Sequence, residues 1–149
     1  MTTLRKPPGA VLGIDYGTKR VGLAVSDPLR IIAAGAGTVP NDDRLTGAVA
    51  SLVRQRSAVL VVVGVPYAPD AGEGEKAREV LAFMDRLRAE LGVPVEPWDE
   101  SRTTVDAHRA LREAGMRRKH RRQKGRVDEM AARLMLQGFL DSLSTVATA

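Results

Sequence analysis

The chain has 149 residues, of which 44% are hydrophobic and 28% are charged, and its formal net charge is +5. This length suits one domain with a sizeable core, so we predict a single domain over 1–149 with a frayed arm at 1–9 and a tail at 144–149. No apolar run approaches the roughly 18 residues that a bilayer span needs, and the absence of cysteine excludes disulfides and zinc–thiolate sites. We therefore expect a soluble, cytoplasmic protein with no membrane partner.

Short apolar runs bounded by Gly, Pro or Asp predict five β-strands. Three of them, at 10–15, 21–25 and 31–39, are close together and favour an antiparallel meander. The fourth, at 58–65, is apolar almost throughout, which is typical of a strand covered on both faces. The fifth is "VPVEPW", at 93–98.

Apolar residues at helical spacing predict four helices, at 42–56, 75–91, 103–115 and 127–143. The order is three strands, a helix, a strand, a helix, a strand and then helices. This order predicts an α/β fold with a mixed five-stranded sheet flanked by helices, and it fits a ribonuclease H-like fold.

Asp15 ends the apolar run "AVLGID", where an ionised carboxylate needs a compensating partner. Backbone amides of the Gly17 turn could compensate it, or a metal ion could do so if other acids converge. Asp99 and Glu100 end the fifth strand, and if the strand persists there only one of them can face Asp15, because successive strand side chains point to opposite faces. Asp128 begins the last helix, where it is either a further ligand or an ordinary helix N-terminal charge.

Three carboxylates from separate elements are hard oxygen donors, which suit Mg²⁺ or Mn²⁺ better than zinc. Two such ions roughly 3.5 to 4 Å apart could activate a water and stabilise the leaving oxygen in phosphodiester cleavage. Hydrolysis of this kind needs no organic cofactor. Neither His108 nor His120 has a partner at metal-ligand spacing, so a general-base triad lacks support.

A run of cations lies directly before Asp128. The segment "RRKHRRQKGR", at 117–126, holds seven Arg or Lys and no acid. A solvated loop would explain it, but its position favours sequence-independent binding to nucleic-acid phosphates. Lys19 and Arg20 are further phosphate candidates, with ordinary hairpin surface charge as their alternative. The candidate residues of the run are Arg117, Arg118, Lys119, Arg121, Arg122, Lys124 and Arg126.

Four segments together resemble the YqgF/RuvX family, described as Holliday-junction resolvase-like proteins and as nucleases that finish the end of pre-16S ribosomal RNA. They are "GIDYGTKRVGLAVSD", "VVVGVP", "DESRTTVDA" and "GRVDEMAARLMLQGFL". The resemblance implies a ribonuclease H-like fold and a metal-dependent nuclease whose catalytic and metal-binding acids are Asp15, Glu100 and Asp128. Family sequences usually have arginine where this chain has Ser101, and Arg102 is the displaced candidate for its phosphate contact.

The resemblance favours 5′-end maturation of pre-16S rRNA, with resolution of Holliday junctions in structured DNA as the alternative. Symmetric resolution would call for two active sites and hence a homodimer. Two other classes stay open. The segment "DYGT" resembles the phosphate loop of actin-like and sugar-kinase ATPases, although the chain is too short for their two lobes. A non-catalytic nucleic-acid-binding module would leave the acids with structural roles alone.

Overall fold

The computed structural model describes residues 8–66, 74–100 and 124–148, and side chains of the last range for 127–143. The predicted helix at 103–115 lies outside the described residues. The strands are β1 (Ala10–Asp15), β2 (Arg20–Ser26), β3 (Ala33–Pro40), β4 (Ala58–Val65) and β5 (Val95–Asp99). The helices are α1 (Leu45–Arg56), α2 (Glu75–Glu90) and α3 (Lys124–Thr148).

The five strands form one mixed sheet in the order β3-β2-β1-β4-β5. β2 is antiparallel to both β1 and β3, whereas β4 is parallel to both β1 and β5. The predicted five-stranded mixed sheet and its opening meander are therefore confirmed. None of the helices in the described ranges is long and apolar enough to cross a membrane.

The sheet separates two apolar cores because successive side chains of each strand point to opposite faces. On one face, Leu12 and Ile14 pack with buried residues of α1 and α2, among them Phe83. On the other face, Val11 and Leu136 belong to the core that the sheet forms with α3. β4 contributes residues to both cores, so the prediction that this strand is covered on both faces is confirmed.

Two predicted boundaries are wrong because aspartate side chains hold turns there. Ile31 and Ile32 were predicted in β3, but their amides each donate to Asp27 Oδ1 at 2.8 Å, and the strand begins at Ala33. The first helix begins at Leu45 and not at 42, since Asp42 Oδ1 accepts the amide of Arg44 at 2.9 Å in the preceding turn.

The last helix is longer than predicted. It was expected at 127–143, but α3 runs from Lys124 to Thr148. Residues 144–148, expected to be part of a tail, are helical. Local propensity does not favour this extension, because three of the five residues, Thr145, Val146 and Thr148, are β-branched.

Glycines on the sheet allow α3 to approach closely. A Cβ atom on Gly13 would lie 2.9 Å from Leu136 Cβ, and one on Gly22 would overlap the backbone carbonyl oxygen of Asp128. Ala132 of α3 is fully buried at the same interface. The close approach therefore depends on small residues from both the sheet and α3. It sets the distance between the start of α3 and β2.

Replacing Gly13 by alanine should lower the free energy of unfolding by about 1 to 3 kcal/mol, because the added methyl group collides with Leu136 in a close-packed core. Gly47→Ala is the matched control, since a Cβ there meets no atom within 4 Å. The control should gain about 0.5 to 1 kcal/mol from helix propensity in α1. Urea unfolding followed by circular dichroism measures both, and equal effects would refute the proposed packing.

Candidate active site

The parallel strands β1, β4 and β5 end at the same edge of the sheet, here called the carboxyl edge, and the antiparallel β2 begins there. Asp15 is the last residue of β1, Glu100 follows the last residue of β5, and Arg20 is the first residue of β2. In open α/β sheets, ligands bind outside the carboxyl ends of the strands. The topology thus brings two distant acids and a cation to the edge where a ligand site is expected.

Asp15 and Glu100 lie on the face of the sheet that α3 covers. Asp15 alternates with Val11 and Gly13, whose neighbours are in α3. Trp98, two residues before Glu100, packs edge-to-face on Phe139 of α3, with ring centroids 5.5 Å apart. The two carboxyl groups share a hydrogen bond. Glu100 therefore meets Asp15, and it lies just beyond the end of β5, where strand alternation no longer applies.

Gly64 makes the contact between these two acids possible. It lies in β4, between β1 and β5, at the position paired with Trp98. A Cβ atom on Gly64 would lie 2.7 Å from Glu100 Oε1 and 3.0 Å from Glu100 Cγ. The Glu100 side chain thus crosses β4 over a residue that has no side chain. The sequence signal was present, since Gly64 is the one glycine in the apolar run "AVLVVVGVP".

The environment of Asp15 strongly favours its neutral form. Burial is the main cause that raises its pKa to about 8, followed by the charge of Glu100 and the hydrogen bond to it. The charge of Lys76 lowers the pKa, and that of Asp128 raises it further. Two adjacent, partly buried carboxyl groups repel each other when both are ionised, so Asp15 favours its protonated form near neutral pH.

Asp128 is held beside this pair by Arg20. The Nε atom of Arg20 donates to Asp128 Oδ2 at 2.9 Å, and the two side chains are 38% and 32% exposed. Within 8–66, 74–100 and 124–148, no three acidic, histidine or cysteine side chains are grouped closely enough to hold a metal ion. The structure therefore places Asp15 and Glu100 in contact and Asp128 within electrostatic reach. Their joint role as metal ligands stays a prediction.

The residue after Asp128 anchors the helix to the sheet. Glu129 Oε2 accepts the amide of Gly37 at 2.6 Å, and its side chain lies where a Cβ of Gly35 would otherwise be. Its carboxylate satisfies a backbone amide of β3, which fixes the first turns of α3 over β2 and β3.

Sequence comparison assigns the chain to a family. Residues 9–142 match the family described as "RuvX: Holliday junction resolvase". The chain belongs to the RuvX family. Proteins named "Putative pre-16S rRNA nuclease" from Syntrophus aciditrophicus and Moorella thermoacetica are each 42% identical to it, over 139 and 135 residues. These alignments cover 90% and 89% of this chain and 89% and 95% of the two relatives. The predicted family is confirmed.

Structural comparison confirms the fold class. RuvC of Thermus thermophilus, in complex with a Holliday junction substrate, has a TM-score of 0.57 at 20% identity, covering 90% of this chain and 96% of RuvC. The fowlpox virus resolvase with Holliday junction DNA has a TM-score of 0.52 at 12% identity, covering 90% and 98%. These identities show the fold alone. RuvC-like resolvases are ribonuclease H-like, so the RuvX chain has the predicted fold.

Lys76 is a site residue that the sequence analysis missed. It is exposed in the first turn of α2, and its charge acts on Asp15. The topology explains its position, because β4 ends at the carboxyl edge and α2 must return to the opposite edge before the parallel β5 begins. The start of α2 thus lies near Asp15, although neither residue type nor spacing indicated this.

The predicted nucleic-acid contacts are only partly within the described residues. Lys19 is exposed in the turn between β1 and β2, and Arg20 is paired with Asp128. The backbones of Lys124 and Arg126 form part of the first turn of α3. The remaining candidates lie outside the described residues: Arg102, Arg117, Arg118, Lys119, Arg121 and Arg122.

The donor set at the carboxyl edge fits a hard divalent cation. Asp15, Glu100 and Asp128 offer only oxygen atoms, which Mg²⁺ and Mn²⁺ prefer. Moreover, burial and the neighbouring Glu100 raise the pKa of Asp15, so a nearby cation would stabilise its ionised form. The chemistry of these residues therefore agrees with the expected ions, and the described side chains give no reason to expect zinc.

The Asp15 pKa predicts a pH-dependent stability of the ion-free protein. Its folded pKa of about 8 exceeds the model-peptide value of 3.8, so this group stabilises the fold at low pH and loses that contribution as pH rises through 8. In the presence of a chelator, the free energy of unfolding of Asp15→Asn should exceed that of wild type by on the order of 3 kcal/mol at about pH 9. At about pH 4 the two free energies of unfolding should differ little.

Urea unfolding at several pH values measures this difference, and Asp85→Asn is the control. Asp85 is a surface acid of α2 with 78% side-chain exposure, and its replacement should change the stability little at any pH. A stability difference between Asp15→Asn and wild type that does not vary with pH would contradict the raised pKa.

Proposed function

We propose that this RuvX protein is a divalent-metal-dependent nuclease that hydrolyses phosphodiester bonds in 5′-end maturation of pre-16S rRNA. The observation that carries the proposal is the Asp15–Glu100 carboxyl pair at the carboxyl edge, with Asp128 within electrostatic reach. The names of relatives at about 40% identity support the reaction and the RNA substrate. Cleavage is assigned to these three acids, which lie on separate elements of the fold.

Asp15 contrasts with a carboxylate that has a structural role. Asp27 accepts the amides of Leu29, Ile31 and Ile32, and these amides, that of Ile32 foremost, hold its pKa below the ordinary value. The pKa of Asp15 is shifted in the opposite direction, by burial and by a second carboxyl group. A turn-forming role at Asp15 would predict the Asp27 pattern. The observed pattern favours a site that binds a cation.

The three acids would hold the ion through their carboxylate oxygens, and Glu100 must lose its hydrogen bond with Asp15 to do so. A bound divalent ion supplies Lewis acidity at the phosphoryl group and makes a water more acidic. Lys76 and Arg20 place positive charge on two sides of the acids. These cations are suited to contact the nucleic-acid backbone, which the carboxylates alone would repel.

Asp15→Asn, Glu100→Gln and Asp128→Asn should each lower the cleavage rate by on the order of a hundredfold or more, while RNA affinity stays within about threefold of wild type. The assay uses an end-labelled rRNA precursor, and a four-way DNA junction in parallel, with Mg²⁺ or Mn²⁺. Asp85→Asn should cleave like wild type. Cleavage at wild-type rates by all three variants would refute the proposed site. Faster cleavage of the junction would favour the resolvase alternative.

Gly64→Ala should lower cleavage by about tenfold, because the new methyl group occupies the path of the Glu100 side chain over β4. Gly92→Ala is the control, since a Cβ at Gly92 meets no atom within 4 Å. Gly64→Ala should lower the rate less in a Glu100→Asp background than in the native one, because the shorter side chain meets the new methyl group less closely. Full activity of Gly64→Ala would mean that Glu100 does not need this path.

A further inference from the structure

Arg20 forms an ion pair with Asp128, the third carboxylate of the proposed ion site. Its ion pair joins the first residue of β2 to the start of α3, which are 108 residues apart in sequence. Resting on the proposed function, we infer that Arg20 is a positioning residue that competes with divalent ions for Asp128. When an ion takes Asp128, the guanidinium is released to a nucleic-acid phosphate.

The backbones on both sides of the ion pair are fixed, so only the side chains can rearrange. Arg20 is paired with Pro40 in the sheet, and the carbonyl of the preceding Lys19 accepts the amide of Asn41 at 2.9 Å. The carbonyl of Asp128 lies directly over Gly22. An exchange of partners at Asp128 therefore needs rotation of its side chain and of Arg20, without movement of α3.

The geometry of the ion pair permits such an exchange. One N–H group of Arg20, at Nε, bonds one oxygen of Asp128, and both side chains are about one-third exposed. Pairs of this kind stabilise a protein by no more than about 1 kcal/mol, so an ion can displace Arg20 at small cost. The charge of the Asp128 carboxylate also acts on Asp15, so Asp128 lies within electrostatic reach of the acid pair.

The released guanidinium stays at the carboxyl edge because its backbone belongs to β2. Guanidinium groups bind phosphate oxygens through parallel hydrogen bonds, and a phosphate is thus a suitable second partner. Ion binding and phosphate binding are then coupled through Arg20, and the coupling must be reciprocal. A nucleic acid that engages Arg20 should raise the affinity of the site for the ion.

The test measures Mn²⁺ binding to the nucleic-acid-free protein, from the electron paramagnetic resonance signal of unbound Mn²⁺. Arg20→Gln should bind Mn²⁺ about fivefold or more tightly than wild type, because the competitor for Asp128 is gone. Arg20→Lys should lie between the two, since it keeps the charge without the planar N–H geometry. Lys19→Gln removes the same charge from the adjacent exposed position and should change the affinity less than about twofold.

A double variant separates competition from a general charge effect. In the Asp128→Asn background, Arg20→Gln should give no more gain than Lys19→Gln does. The inference would be overturned if Arg20→Gln and Arg20→Lys both bound Mn²⁺ with an affinity equal to or lower than that of wild type. Arg20 would then orient Asp128 for the ion and would not compete with it. A gain that persists without Asp128 would overturn it as well.

The single acid variants distinguish failure of this inference from failure of the proposed function. If Asp15→Asn and Asp128→Asn bind Mn²⁺ as wild type does, no ion site exists at these residues and both proposals fail. If these variants lose Mn²⁺ binding but Arg20→Gln does not gain it, only the role of Arg20 is refuted. Thermal unfolding of each variant shows that it is folded at the temperature of the assay.

Discussion

The contact between the carboxyl groups of Asp15 and Glu100 is the constraint on which the site depends. It joins the ends of two strands that are separated by β4, and burial together with mutual repulsion raises the pKa of Asp15 to about 8. Such a contact is unfavourable for folding when both groups are ionised. A fold maintains it only where the surrounding packing determines the positions of both strands, which is the case in a sheet buried on both faces.

Glycine supplies the space that this arrangement needs. Gly64 lets Glu100 cross β4, and Gly22 lets the start of α3 settle directly on β2, where Asp128 meets Arg20. Each of these glycines costs some stability in a strand, because its backbone loses more freedom on folding and it has no side chain to pack. The positions of Glu100 and Asp128 thus follow from residues that carry no chemical group of their own.

Local pattern in the sequence was sufficient to identify the acids but not their relations. A carboxylate at the end of an apolar strand, an acidic pair after another strand and an acid at a helix start each left a recognisable signal. The alternation rule applied only if β5 continued to Glu100, and the strand ends at Asp99. The ion pair of Arg20 with Asp128 and the proximity of Lys76 depend on strand order and helix placement. Those relations join residues far apart in the chain, and periodicity does not encode them.

The compensation of charge at the carboxyl edge explains how one site could alternate between two states. Without an ion, burial and Glu100 favour a proton on Asp15, and Asp128 is paired with a guanidinium. The proton and the guanidinium together carry two positive charges, which is the charge of one divalent ion. Exchange of these partners for the ion leaves the summed positive charge next to the three acids unchanged. Because the pKa of Asp15 is raised to about 8, a cation that binds its ionised form competes with a proton, and ion affinity should rise with pH.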